Sequence, residues 1–340
     1  MTASESKPRI SVCIPTHDRP HLLKKAMGSV LQSTEQRFEI VISDDVGSEV
    51  TRQLVQSFSD DRLRYIRFQT DEPDMTSNWS NALRKAKAPY VFKLDDDDEI
   101  EPGFLELTCD FLDQHSKVTI VFTAFTFFIP GREPVTRLDH QYFTEDVVDG
   151  FTYGTDILLN RAYPLNHKSA GVFRREAAER IGYFDKVRDD ILFTVAMGVL
   201  GDIGYIPTSL FRYKMGTPGQ QGMTTAPLRR LFEGVHAFFE LDDVRCRPKW
   251  TVLQTQAIRV FTLGCSIRYI AEAFSKEGWA QGWVMANFAR TKEPFLNRSL
   301  FFWLATLLFS IMPAWTHNAL LKHYLGATWL RRLVNLLGRT

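Results

Sequence analysis

Residues 90–99 read Tyr90-Val91-Phe92-Lys93-Leu94 and then, without a break, Asp95-Asp96-Asp97-Asp98-Glu99. The first half is an apolar run typical of a short buried strand, so the five carboxylates follow at its carboxyl end. Ligands of open α/β sheets bind at this edge of the sheet. Crowded carboxylates repel one another unless a cation lies among them, and Mg²⁺ or Mn²⁺ binds one or two carboxylates together with substrate phosphates. The stretch therefore predicts a metal–diphosphate site, against the alternative of a solvated acidic turn.

The chain around this stretch alternates short apolar runs with helical patterns. Strand-like runs occur at 10–14, 38–42, 63–68 and 118–128, and stretches with helical spacing separate them. Strands that alternate with helices of this length predict βαβ units, and hence an α/β fold built on a mostly parallel sheet. From Leu228 onwards the pattern is helical. We therefore expect two parts, one over residues 8–227 that carries the site and a C-terminal helical region over residues 228–340.

Composition excludes several classes of protein. The 340 residues carry 41 Lys and Arg against 40 Asp and Glu, so no nucleic-acid partner is expected, since proteins that wrap nucleic acid are far more basic. The four cysteines form no C-x₂-C pair, which excludes a zinc ribbon and is typical of a reduced intracellular protein. Residues 1–9 lack the apolar core of a signal peptide. We expect a cytoplasmic protein.

Three other metal- or phosphate-binding motifs do not match the sequence. Asp95, Asp97 and Glu99 match part of an EF-hand template, but Ile100 stands where that loop needs glycine and a strand precedes it. The first strand ends in residues 15–19, Pro-Thr-His-Asp-Arg, with no G-x-G-x-x-G for a nicotinamide cofactor. The chain also lacks the Gly-Lys-Ser/Thr of a P-loop. The EF-hand, the nicotinamide-binding loop and the P-loop are therefore set aside.

Five motifs in a fixed order carry a resemblance to a known family. They lie at 12–19 (Val-Cys-Ile-Pro-Thr-His-Asp-Arg), 41–45 (Val-Ile-Ser-Asp-Asp), 78–83 (Asn-Trp-Ser-Asn-Ala-Leu), 90–102 (the strand and acidic run) and 172–185, which is followed by Asp189-Asp190. Over about residues 8–215 this order resembles glycosyltransferase family 2. The resemblance implies a GT-A-type nucleotide-diphospho-sugar transferase fold, with a central sheet flanked by helices, here joined to a C-terminal α-helical extension.

The resemblance also implies a hexosyltransferase-type enzyme with a role for each matching residue. The nucleotide-sugar would contact Pro15, Thr16, His17, Arg19, Asp45 and, at the ribose, Asp96. Asp97 would hold the Mn²⁺ or Mg²⁺ bound to the diphosphate, because the departing nucleoside diphosphate gains negative charge. Asp190 would be the general base, since an acceptor hydroxyl is a poor nucleophile until a carboxylate takes its proton. On propensity alone, Asp189 and Asp190 could instead cap a helix.

The chain departs from the family pattern in three places. Asp44-Asp45 is followed by Val46-Gly47-Ser48 rather than directly by Gly-Ser, and Lys214 stands where a His often follows the Arg-Tyr pair. A Gln-x-x-Arg-Trp motif does not occur, nor does the sequence contain a series of membrane spans. We therefore expect a non-processive enzyme that adds one or a few sugars.

The last 47 residues have a composition of their own. The apolar run 300–312 stops at Pro313, short of the roughly 20 residues that a membrane span needs. No Asp or Glu follows Glu293, while five Lys and Arg remain. Basic residues among Trp, Phe and Leu are typical of helices that lie in a membrane interface, although a hairpin packed on protein has the same pattern. We expect a peripheral protein on the inner face of the cell membrane.

The expected function follows from these parts. A metal-dependent, inverting glycosyltransferase would use a nucleotide-diphospho-sugar donor and an acceptor on a lipid-linked or cell-surface glycan precursor. The alternatives are a non-catalytic sugar-nucleotide binder or assembly scaffold and, less favoured, a sugar nucleotidyltransferase. The last would need a Gly-rich basic first loop for a triphosphate, which residues 15–19 do not supply.

Overall fold

A computed structural model describes residues 7–45, 47–69, 75–138, 143–159, 171–184, 190–214, 225–240 and 248–311. The chain packs as two units. The first comprises residues 1–153 and 164–218, and the second comprises residues 154–163 and 219–340.

Ten strands of the described residues form one mixed sheet. They are β1 (Ile10–Thr16), β2 (Phe38–Asp44), β3 (Leu63–Arg67), β4 (Tyr90–Lys93), β5 (Glu99–Ile100), β6 (Val118–Phe128), β7 (Val135–Arg137), β8 (Val147–Val148), β9 (Gly171–Arg174) and β10 (Asp202–Lys214). Their order is β3-β2-β1-β4-β9-β6-β10-β5, with β7 on β6 and β8 on β10. The strands β3, β2, β1 and β4 are parallel, whereas β9 runs antiparallel between β4 and β6.

Helices alternate with the strands, as the sequence predicts, although the helix Gly150–Leu158 lies in a stretch for which no helix was predicted. They are α1 (Pro20–Leu31), α2 (Glu49–Ser57), α3 (Met75–Arg84), α4 (Phe104–Gln114), α5 (Gly150–Leu158), α6 (Arg175–Ile181), α7 (Asp190–Leu200), α8 (Thr225–Phe238), α9 (Pro248–Lys276), α10 (Trp279–Lys292) and α11 (Leu300–Ile311). A short 3₁₀ turn, Pro294–Arg298, precedes α11.

The core of the first unit supports the carboxyl edge of the sheet. Every residue of β1, β2 and β4 is buried, as expected for parallel strands covered on both faces. Below the acidic run, the ring of Phe92 packs against that of Phe104, with centroids 4.6 Å apart, and lies 6.4 Å from Phe211. Strand β4 ends three residues earlier than β1 in the paired register, where Cys13 faces Lys93. The acidic run therefore begins beside the last residues of β1.

The second unit is helical where the structure describes it. Helix α9 packs against α8, α10 and α11. Within α11, Phe302, Thr306 and Phe309 are buried. Among the described residues, no helix has both the length and the apolarity that crossing a bilayer requires.

Candidate active site

The end of β1 is joined directly to the acidic run. The Leu94 amide donates to the Cys13 carbonyl at 3.0 Å, which continues the pairing of β1 with β4. Beyond it, the buried Thr16 hydroxyl donates to Asp96 Oδ2 at 2.6 Å. Pro15 is paired with Ser43 in the neighbouring strand β2. The sheet thus brings Pro15, Thr16 and Asp96, which were predicted from separate motifs, to one edge.

Arg19 bridges two carboxylates of the run from the residue before α1. Its Nε donates to Asp96 Oδ2 at 3.2 Å, and the guanidinium also forms an ion pair with Asp96 Oδ1. Its Nη1 lies 3.5 Å from Asp97 Oδ2. Burial raises the pKa of Asp96 to about 7, and the charge of Arg19 and the Thr16 hydroxyl both oppose that shift. Arg19 therefore opposes the effect of burial on Asp96 without outweighing it.

Asp44, the last residue of β2, and Asp45, which follows it, have different contacts. Asp44 is fully buried, and its Oδ2 accepts hydrogen bonds from the Ser48 amide at 3.1 Å and the Tyr65 hydroxyl at 2.9 Å. The side chain of Asp45 is 9% exposed, and its Oδ1 is 2.5 Å from Nδ1 of the exposed His17. Asp44 thus ties the end of β2 to the loop that follows, while Asp45 pairs with His17, the other residue predicted to contact the nucleotide.

The remaining carboxylates of the run are also partnered within the protein. Lys93 Nζ donates to Asp95 Oδ1 at 2.9 Å. Asp98 is fully buried, and its Oδ1 accepts from the backbone amide of Lys214 at 2.9 Å. The Lys214 ammonium in turn pairs with Glu99. Arg212 also lies 3.8 Å from Glu99, so basic side chains of the chain itself relieve part of the crowding of negative charge that the sequence indicates.

A divalent cation fits the donor chemistry of this edge. Within the described residues, no three His, Cys, Asp or Glu side chains converge on one point. Mg²⁺ and Mn²⁺ need no such cage, because they bind one or two protein carboxylates and fill their shell with phosphate oxygens and waters. Burial raises the pKa of Asp98 well above its usual range, and its Oδ2 lacks a hydrogen-bond partner among the described residues. Asp97, whose side chain is 10% exposed and whose Oδ2 lies 3.5 Å from Arg19 Nη1, stays the predicted ligand of the cation.

Comparison with known proteins decides the family. The model of Glycosyl transferase family 2 matches residues 11–182, which is about half of the chain and contains the ends of β1 and β2 and the acidic run. The chain belongs to glycosyltransferase family 2. The predicted family is thereby confirmed.

Curated relatives of this family 2 protein are also glycosyltransferases. A GalNAc(5)-diNAcBac-PP-undecaprenol beta-1,3-glucosyltransferase from Campylobacter jejuni is 38% identical over 100 residues, or 29% of this chain and 32% of that protein. The chain spans between 23% and 53% of the length of this and two further curated relatives.

Solved structures show the same fold. S. aureus TarS 1-349 in complex with UDP-GlcNAc superposes with a TM-score of 0.61 at 16% identity, covering 97% of this chain and 90% of that one. A mannosyltransferase from Pyrobaculum calidifontis, in complex with GDP-Man and Mn²⁺, superposes with a TM-score of 0.51 at 16% identity, covering 90% and 88% of the two chains. The predicted GT-A-type fold, a central sheet flanked by helices, is confirmed.

The predicted base of this family 2 chain stands at a helix start. Asp190 is the first residue of α7. Its side chain, and the whole of Asp189, lie outside the described residues. The role of Asp190 therefore stays a prediction that rests on the family resemblance.

Two site residues were not predicted from the sequence. Asn78 of α3 donates to the Thr16 carbonyl at 3.2 Å and accepts from the Ser43 hydroxyl at 2.6 Å, so it ties the ends of β1 and β2 together. It lies in the motif at 78–83, which could have drawn attention to it. Lys93 is buried beside Asp95, and its only signal was a lysine inside an otherwise apolar strand.

Proposed function

We propose that this chain transfers a sugar from a nucleotide-diphospho-sugar to an acceptor hydroxyl, with a divalent metal and with inversion at the anomeric carbon. Residues 8–227 would form the catalytic domain and residues 228–340 a helical region. The observation that carries the proposal is the meeting of Thr16, Arg19, Asp45 and the acidic run at one sheet edge within the family-matched segment.

The donor side of the reaction uses the ends of β1 and β2. His17 and Asp45 would contact the base through adjacent polar atoms, and Pro15 and Thr16 would contact the nucleoside. Asp96 would reach the ribose from the corner that Arg19 and Thr16 hold. A divalent cation held by Asp97 would neutralise the charge that develops on the departing nucleoside diphosphate.

The acceptor side depends on the start of α7. There the Asp190 carboxylate would take the proton of the acceptor hydroxyl as its oxygen attacks the anomeric carbon. The C1–oxygen bond to the diphosphate breaks as the new glycosidic bond forms on the opposite face. A single displacement of this kind inverts the anomeric centre.

The proposed acceptor is a lipid-linked or cell-surface glycan precursor. The support is the Campylobacter relative, a GalNAc(5)-diNAcBac-PP-undecaprenol beta-1,3-glucosyltransferase. We further propose that the protein is peripheral on the cytoplasmic face of the membrane and binds there through its C-terminal helices. Exposed leucines on α11 and the purely basic charge of residues 294–340 support this location.

Thermal unfolding with nucleoside diphosphates tests the donor site. The full chain would be melted with UDP, GDP, TDP or CDP, each with and without Mn²⁺. A ligand that binds only the folded protein adds about 2.7 kcal/mol at a hundred times its dissociation constant. We expect one base to raise the melting temperature with metal present, and Asp97→Ala to abolish the increase. If no nucleotide changes the melting temperature under any condition, the proposed donor site is wrong.

A further inference from the structure

Lys93 is a buried ammonium that the proposed reaction does not use. It is the last residue of β4, and its side chain is only 3% exposed. A buried lysine is rare because removing its charge from water is costly unless the charge is paired. The residue lies two positions before the first aspartate of the acidic run, so its partners bear directly on that run.

The partners of the Lys93 ammonium among the described residues include a carboxylate and two aromatic rings. Its Nζ donates to Asp95 Oδ1 at 2.9 Å and lies 3.8 Å from the ring centroid of Trp79 and 5.9 Å from that of Phe184. The two rings meet edge to face, with centroids 5.4 Å apart. Ring faces attract a cation, and this attraction is strongest where water is excluded. This arrangement therefore places the Lys93 nitrogen among groups that attract a cation and limits its movement.

The pairing of Lys93 distinguishes two carboxylates that the sequence cannot tell apart. Asp95 and Asp97 both follow β4, and Asp95 is the more exposed, at 23% against 10%. Burial therefore does not exclude Asp95 from binding a cation. The basic partners differ, however, because Asp95 has a short contact with a fixed ammonium while Asp97 lies 3.5 Å from Arg19.

We propose that Lys93 is a positioning residue that holds Asp95 out of the metal site and so makes Asp97 the carboxylate that binds the cation. The inference rests on the proposed metal-dependent function. A positive charge beside Asp95 repels a divalent cation. It also pairs with the Asp95 carboxylate, which would otherwise bind the cation together with Asp97. Trp79 and Phe184 contribute by keeping the ammonium from moving away.

Binding of Mn²⁺ alone, followed by the electron paramagnetic resonance of free Mn²⁺, tests the inference without turnover. With Lys93→Met, which fills the same space without charge, we expect the purified full chain to bind Mn²⁺ about tenfold more tightly. Adding Asp95→Asn to Lys93→Met should return the affinity to that of the unaltered protein. A merely structural lysine would not produce a gain that a second substitution removes.

Two further variants keep the test decisive if Lys93→Met does not fold. Asp95→Asn alone should change Mn²⁺ affinity by no more than about twofold, whereas Asp97→Asn should abolish binding. Lys87→Met removes an exposed lysine of the same region and should leave binding unchanged.

The outcomes separate this inference from the proposed function. If the unaltered chain binds Mn²⁺ and Asp97→Asn abolishes it, but Lys93→Met leaves affinity unchanged or weaker, the role of Lys93 is wrong and the donor site stands. Equal losses in Asp95→Asn and Asp97→Asn would also overturn it. If the unaltered chain binds neither Mn²⁺ nor any nucleoside diphosphate with Mn²⁺, the proposed function itself fails.

Discussion

Burial and basic neighbours act in opposite directions on the aspartates that follow β4. Burial raises the pKa of both Asp96 and Asp98, while Arg19 lowers the pKa of Asp96 and Lys93 lowers that of Asp98. The sequence shows five adjacent carboxylates and predicts a cation among them. Arg19 could not be predicted as their partner, because it is 77 residues from Asp96 and meets it only through the pairing of β1 with β4.

The proposed base is tested by removing its charge alone. Asp190→Asn keeps the size of the side chain but cannot accept the proton of the acceptor. We expect turnover to fall by about 100-fold or more, the usual contribution of general base catalysis, while nucleoside diphosphate binding is retained. The assay is release of nucleoside diphosphate with acceptor present, beside calorimetric binding.

Asp189→Asn is the matched control for this prediction, since it removes a neighbouring carboxylate. It should cost far less turnover than Asp190→Asn. The reverse result would move the base to Asp189. A chain that binds nucleotide but shows no turnover in its unaltered form would favour the non-catalytic binder considered above.

Glu35 gives a pH prediction at the opposite edge of the sheet. Burial opposes its charge, but hydrogen bonds from Arg37 and Arg9 outweigh burial and lower the pKa of Glu35 to about 2, from 4.5. The unfolded chain therefore binds this proton first as pH falls. The stabilisation is present above about pH 4.5 and is lost as pH approaches 2.

Replacement of Glu35 by Gln should remove this part of the acid sensitivity. At pH 7 we expect Glu35→Gln to lower the free energy of unfolding by about 2 kcal/mol, and the difference from the unaltered protein to shrink by pH 3. Urea unfolding at pH 7, 5, 4 and 3 measures it. Glu49→Gln, which breaks an exposed pair with Arg52, should have little effect at any of these pH values. A constant difference across the series contradicts the linkage.

At the scale of elements, prediction from sequence succeeded where strands are long and apolar. The runs at 10–14, 38–42 and 118–128 lie in strands, because long buried stretches leave a clear pattern. The run at 63–68 covers β3 and one residue beyond it, although β3 is only partly buried. Strands β5, β7, β8 and β9 were not predicted. Each has four residues or fewer, which is too short to leave a clear local signal.

Gly171 shows why β9 fits between β4 and β6. A Cβ atom at this position would lie 2.5 Å from Cε1 of the buried Phe122. We expect Gly171→Ala to force this ring aside and to lower the free energy of unfolding by about 1–3 kcal/mol, the usual cost of overpacking.

Gly28→Ala is the control, because a Cβ there meets nothing within 4 Å inside α1. Alanine is the better helix former, so this variant should gain up to about 1 kcal/mol. Chemical unfolding of both variants measures the contrast. If Gly171→Ala is as stable as the unaltered chain, β9 does not depend on this close approach.

At the scale of the whole molecule, charge is distributed unevenly along a nearly neutral chain. Residues 294–340 hold five Lys and Arg and no Asp or Glu, which leaves 36 Lys and Arg against 40 Asp and Glu in residues 1–293. The net charge of +1 therefore hides a basic end and an acidic remainder. An anionic lipid surface attracts the first and repels the second, so charge alone favours binding through the C-terminal end.

The apolar part of this contact can be tested on α11. Leu304 and Leu307 are 56% and 51% exposed, one turn apart, on the face opposite the buried Phe302 and Phe309. We expect the full chain to sediment with vesicles that contain anionic phosphatidylserine or phosphatidylglycerol. Less should sediment with purely zwitterionic vesicles, or in about 0.5 M salt, where charges are screened. Leu304→Ser with Leu307→Ser should reduce this binding about tenfold or more, because two exposed side chains of this size contribute about 3 kcal/mol when buried in lipid.

Leu107→Ser removes an exposed leucine from α4 and should bind as the unaltered chain does. Equal binding by both variants would show that α11 does not enter the membrane, and absence of binding to any vesicle would favour a helical region that packs on protein.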